Sequence, residues 1–140
     1  MGYYSYLKGE IEISPAPPKS LFDRAELETM DRGVRWGIEC LDVQFEVESE
    51  TKIETDGLES VEITRSTVIS AKIVVTCDDR HKHYYTCEGL QAIVDQLGRE
   101  REYKGWFDFE GEDARLARFG VVNGKAREFE PTITWPAEVS

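Results

Sequence analysis

The sequence is short of positive charge. Seventeen lysines and arginines face 28 aspartates and glutamates, for a formal net charge of −11 and a pI near 4.7. A deficit of that size argues against a nucleic-acid binder working through a general basic surface. It also argues against docking on anionic lipid, because both ligands present phosphates that would be repelled. The chain lacks any apolar run near the roughly 18 residues that signal a membrane-spanning helix. No charged-then-apolar leader opens it, since Met1 runs directly into Tyr3, Tyr4 and Tyr6. Met1-Gly2 is not a myristoylation signal, because position 6 is Tyr rather than Ser or Thr. Cysteine is scarce: there are three, and an odd number suits free thiols in a reducing cytoplasm better than a disulfide framework. Phosphate-cradling loops are missing, because Gly89, Gly98, Gly105 and Gly111 stand singly between elements. No Gly-x-Ser-x-Gly elbow is present. With no catalytic motif in view, the expectation is a non-enzymatic protein.

What the chain does have is enough apolar sequence, 40% of 140 residues, to bury one core, so residues 1–140 read as a single domain. Leu7, Gly9, Ile11 and Ile13 alternate with Lys8, Glu10 and Glu12, the period of a half-buried strand. Ser14-Pro15-Ala16-Pro17-Pro18 turns the chain, and Ser20 with Asp23 three residues on predicts a helix to about Arg32, closed by Gly33. Residues 34–54 alternate again but change parity near Cys40, which predicts a bulge or break there. In residues 58–77 the apolar set Val61, Ile63, Ile69, Ala71, Ile73, Val75 and Cys77 is all odd. Matching that set to Leu41 and Val43 favours a three-residue loop, Thr55-Asp56-Gly57, with Gly57 left-handed. It sets Val43 opposite Ile69 and Leu41 opposite Ala71.

A helix is expected at 87–97, where Leu90, Ile93, Val94 and Leu97 keep helical spacing and Gly98 ends it. Strands follow at 103–110 and 115–122, then an Asn123-Gly124 turn and a last strand ending in Ile133-Thr134-Trp135-Pro136. The order β-α-β-β-α-β-β-β predicts an α+β fold: an antiparallel β-sheet with two helices on one face, ferredoxin-like or a variant of it.

The opening Met1-Gly2-Tyr3, Gly9-Glu10-Ile11 and Pro17-Pro18, and the closing Gly111-Glu112-Asp113, Arg118, Val121, Gly124-Lys125-Ala126 and Ile133-Thr134-Trp135-Pro136, carry a resemblance. They look like the ends of small uncharacterised proteins from actinobacteria and their phages. The resemblance covers about the first 18 and last 35 residues. It implies a phage-type accessory protein and brings no chemistry and no functional residue with it.

Two constellations bear on function. From Asp42 to Glu62 there are eight acidic residues and one basic one, Lys52, for a net −7. Glu46, Glu48, Glu50 and Glu54 share parity, so on a strand they form a stripe with steps of about 6.6 Å; Asp56, Glu59 and Glu62 complete the hairpin. A regular row of negative charges loosely imitates a nucleic-acid backbone and would suit a basic protein surface. The plainer alternative is the charged, solvated outer face of an antiparallel sheet. Cys77, His81, His83 and Cys87, spaced C-x3-H-x-H-x3-C, supply two thiolates and two imidazoles, a sufficient zinc set at an uncommon spacing. Asp108, Glu110, Glu112 and Asp113 form a third, acidic cluster of oxygen ligands. Tyr3, Tyr4, Tyr6, Tyr84, Tyr85 and Trp106 are candidates for an aromatic binding face.

The function expected is therefore a cytoplasmic, protein-binding accessory protein, of the phage anti-defence or host-takeover kind, whose acidic hairpin meets a basic surface on a host or cognate protein. Nucleic acid itself and membrane are not the expected partners, and no cofactor is expected; self-association is a further class. The alternative is a small zinc-stabilised domain built on the Cys/His set.

Overall fold

A computed structural model of the chain describes residues 4–21, 40–76, 86–132 and 134–135. Its strands are β1 (Ser5–Ser14), β2 (Leu41–Asp56), β3 (Glu59–Val75), β4 (Glu102–Gly111), β5 (Leu116–Val122) and β6 (Lys125–Phe129). One helix, α1 (Thr86–Leu97), separates β3 from β4 in the chain. The strands form a single sheet in the order β2-β3-β1-β4-β5-β6, with each neighbouring pair antiparallel.

Alternation decides which face is buried. Leu7, Ile11 and Ile13 of β1, Tyr103, Phe107 and Phe109 of β4, and Ala117 and Phe119 of β5 point into the core. Leu41 and Val43 of β2 join them, with Val68, Ala71 and Ile73 of β3. α1 lies over this face and buries Leu90, Ile93, Val94 and Leu97, each worth roughly 1.5–3 kcal/mol when removed from water. Gly98 ends the helix, its N–H donating to the Val94 carbonyl at 2.8 Å. The opposite face of the sheet carries Tyr6, Lys8, Glu10 and Glu12 from β1, and Lys104, Trp106, Asp108 and Glu110 from β4, all exposed. No described element packs on it.

The ferredoxin-like α+β expectation is corrected by this architecture. The molecule is mostly antiparallel sheet, 62% strand, and a six-stranded sheet with so little helix is not that arrangement. One long hairpin accounts for much of the difference, because β2 and β3 run 16 and 17 residues, far past the rest of the sheet. The helix expected from Ser20 is described only to Leu21, and its remainder lies outside the described residues. The last strand ends at Phe129 rather than running to Pro136; Pro131, with no N–H to donate, follows closely.

The register of the long hairpin also differs from expectation. The turn is Gly57-Leu58, with Glu54 opposite Val61 and Asp56 opposite Glu59. Gly57 has φ +63 while Leu58 is not left-handed, the pattern of a two-residue turn with glycine in its first central position. Nearer the body, Val43 pairs with Ile73 and Leu41 with Val75, because Ile69 is an extra residue bulged out of β3 between Val68 and Ser70. Cys40 is left-handed, φ +65, just before β2, while the part of the expected run over 34–39 lies outside the described residues. Cys40 is also disulfide-bonded, which departs from the free thiols that the odd count suggested. It sits where the Thr76 N–H donates to its carbonyl at 2.8 Å, so the two long strands are tied at their base.

Candidate functional site

The β2–β3 hairpin outruns the rest of the sheet. β1 pairs with β3 only from Ala71 to Val74, so residues 47–68 form a two-stranded arm without a third described strand beside it. Ten residues per strand make it about 30 Å long. Cross-strand partners share a face, which sorts its side chains cleanly.

One face is mostly uncharged, with Glu62 its one carboxylate. Ser49 and Ser66 bring their hydroxyls within 3.1 Å, and Thr51 and Thr64 within 3.2 Å, with Thr55 opposite Ser60 toward the tip. Glu62 lies on this face opposite Ile53. The other face is charged. Glu48, Glu50, Lys52 and Glu54 succeed one another on β2, continuing the line of Glu46, and Arg65, Ile63 and Val61 lie opposite the last three of them. Asp56 and Glu59 pair at its tip. Glu46, Glu48, Glu50 and Glu54 are thus a single stripe, while Glu62 is turned away from it. Lys52 sits 3.7 Å from Glu50, and both are well exposed. Hydrophobic side chains are exposed here too: Ile53, Leu58 and Val61 stand open to solvent.

The Cys/His set is only partly in view. Cys77, His81 and His83 lie outside the described residues. Cys87 is a half-buried free thiol in the first turn of α1. Burial, with Glu88 and Glu128 nearby, pushes its pKa above the ordinary thiol value, which is the direction of an inert rather than a nucleophilic cysteine. Among the described residues no group of three His, Cys, Asp or Glu side chains is placed to hold a metal ion. The acidic cluster of 108–113 is dispersed accordingly. Asp108 accepts from Arg118 Nε at 2.8 Å, and Asp113 accepts the Arg115 N–H at 3.1 Å in the β4–β5 turn.

Of the candidate aromatics, Tyr3, Tyr84 and Tyr85 lie outside the described residues, while Tyr6 and Trp106 share the open face of the sheet. The surface that the spacing rules missed is beside them. On that face β5 presents Leu116, Arg118, Gly120 and Val122, and β6 presents Lys125, Arg127 and Phe129. Three cations stand among those seven residues, and Asp108 and Glu110 of β4 lie beside them on the same face, Asp108 paired with Arg118 at 2.8 Å. The Arg118 guanidinium lies over the Trp106 ring, 4.3 Å from its centroid. The alternation Lys125, Arg127, Phe129 is the signal that could have found it.

The DUF6205 family of unknown function matches residues 1–140. The chain belongs to that family. No curated protein and no solved structure matches this DUF6205 chain. Among its described residues no helix is long and apolar enough to cross a membrane.

Proposed function

We propose that the protein is a non-enzymatic binding protein whose acidic arm engages a basic surface on another protein. The observation that carries this reading is the projection of the arm: residues 47–67 leave the described sheet as a ribbon with mostly exposed side chains on both faces. An isolated two-stranded hairpin is marginally stable at best, so the arm adds little to the fold that bears it. Its exposed stripe of Glu46, Glu48, Glu50 and Glu54, interrupted by Lys52, loosely imitates an anionic row. A basic cleft that ordinarily receives nucleic acid is the kind of surface such a row suits, and its charge would accelerate encounter and select the partner. The likeness of the chain's ends to proteins of actinobacteria and their phages supports an accessory or host-blocking role of this kind.

The test is capture of partners from a lysate of the source cell at low and high salt, with wild-type protein and with Glu46→Gln, Glu48→Gln and Glu50→Gln combined. Binding should weaken with salt and be lost in the variant. Capture indifferent to both would eliminate the reading.

A further inference from the structure

We infer that Cys40 and Cys77 form a redox-sensitive clasp at the root of the β2–β3 hairpin. Joined, they hold the start of β2 on the sheet; reduced, they let it fray. The inference stands apart from the reading of the arm as a binding element, because it concerns how the hairpin is held and not what it meets.

The count of cysteines names the partner. The chain has three, of which Cys40 is disulfide-bonded and Cys87 is a free thiol. Cys77 is the sulfur that remains, and it lies outside the described residues. Its neighbour in the chain is described. Thr76 donates its N–H to the Cys40 carbonyl at 2.8 Å, directly beyond the pair Leu41 and Val75. Cys77 is therefore one covalent step, about 3.8 Å between Cα atoms, from a residue already bonded to Cys40.

The root is where β2 has its grip on the core. Its buried side chains are Leu41 and Val43, which follow Cys40 closely. Past them, Phe45 and Val47 are each 39% exposed. Among the described strands β2 pairs with β3 alone, and β3 meets β1 only from Ala71 to Val74. A strand held by two buried side chains and one ladder belongs to the low end of local stability. The bond encloses residues 41–76, so the whole hairpin lies inside one covalent loop.

Cys40 also supplies the second state. Its φ of +65 is left-handed, a conformation that costs energy for a residue with a Cβ and persists only where its surroundings impose it. Here the disulfide, the Thr76 hydrogen bond and burial impose it. Reduction removes the covalent constraint, and the backbone ahead of Leu41 is then free to return to ordinary φ. Closing the clasp joins two sulfurs and gives up two protons and two electrons. A small disulfide such as oxidised glutathione takes them up as it becomes two thiols, and a dithiol reverses the exchange.

The experiment uses the full chain in two steps. Peptide mapping after denaturation and alkylation without reductant should return the Cys40 and Cys77 peptides linked and Cys87 alkylated. Hydrogen exchange is then compared in oxidised glutathione and in dithiothreitol. Ladder amides of β2 from Leu41 to Glu46 should exchange more than about tenfold faster after reduction, while those of α1 and β4 change less than about twofold. Cys40→Ser should show the reduced pattern without reductant, and Cys87→Ser should keep the full response. Should Cys40→Ser fail to fold, wild type in dithiothreitol reads the same state. Three results overturn the proposal: Cys40 alkylated before reduction, a linked pair that contains Cys87 or a second chain, or β2 exchange indifferent to reduction.

Discussion

Gln91 and Ala126 lock α1 to the last hairpin. The Ala126 N–H donates to Gln91 Oε1 at 2.8 Å, while Gln91 Nε2 donates to the Gly124 carbonyl at 3.0 Å. One side-chain amide thus satisfies a donor and an acceptor of the β5–β6 hairpin that no neighbouring strand reaches from the helix side. Gln91→Ala leaves both groups to a half-buried site and should cost about 1–3 kcal/mol in urea denaturation. The same variant should speed amide exchange at Ala126 more than at β1.

β1 and β4 approach each other closely at two glycines. A Cβ on Gly9 would run into the Trp106 carbonyl oxygen, and one on Gly105 into that of Glu10; the φ angles are +125 and +109. Neither position tolerates a side chain without moving the partner strand. Gly9→Ala or Gly105→Ala should each destabilise by about 2 kcal/mol or more, read as a drop in melting temperature. The two share one interface, so the double variant should cost less than the sum.

Tyr103 gives the fold an alkaline limit. Its hydroxyl donates to the Gly98 carbonyl at 2.8 Å. Burial pushes its pKa up to about 12, opposed by Arg101 and reinforced by Glu100 and Asp95. The neutral phenol is the form the fold prefers, so its contribution is full below the ordinary value near 10 and is lost as pH rises from there through about 12. The loss should reach about 2–3 kcal/mol. Urea midpoints measured across that window should fall in wild type and fall less in Tyr103→Phe, which starts lower by about 1 kcal/mol for its missing hydrogen bond.

The cysteines should separate chemically. Denatured without reductant, the chain should expose Cys87 to alkylation and withhold Cys40; reduction should release Cys40. In the folded protein Cys87 should react slowly at neutral pH and faster as pH rises, as peptide mass mapping after timed alkylation would show.

Sequence pattern specified some features of this molecule and was blind to others for identifiable reasons. The helix over Leu90, Ile93, Val94 and Leu97 and the Asn123-Gly124 turn were legible because each is fixed by local chemistry; Asn123 and Gly124 are both left-handed, as such a turn requires. The hairpin register was legible only in parity. Any pairing with an even sum puts Leu41 and Val43 on one face with Ile73 and Val75, and nothing in the period distinguishes it from the register four residues away. The bulge at Ile69 hides the offset, because it restores even parity after an odd-parity turn at Gly57-Leu58. Overall fold class was misjudged because period-2 sequence says that a strand exists but not that it outgrows its sheet. The stripe of Glu46, Glu48, Glu50 and Glu54 was legible as a shared face, and Glu62 was not separable from it without the register. The β5–β6 face escaped notice because its cations come from two strands, each too short to look basic alone.

Among the described residues β2 is the edge strand of the sheet, 16 residues long, with β3 its one described neighbour. A long edge strand is in general a template on which chains can stack into cross-β fibrils. The repeated glutamates of β2 set like charges against each other wherever two such edges approach in register. The same carboxylates that would draw a basic partner thus oppose the stacking of one such edge on another.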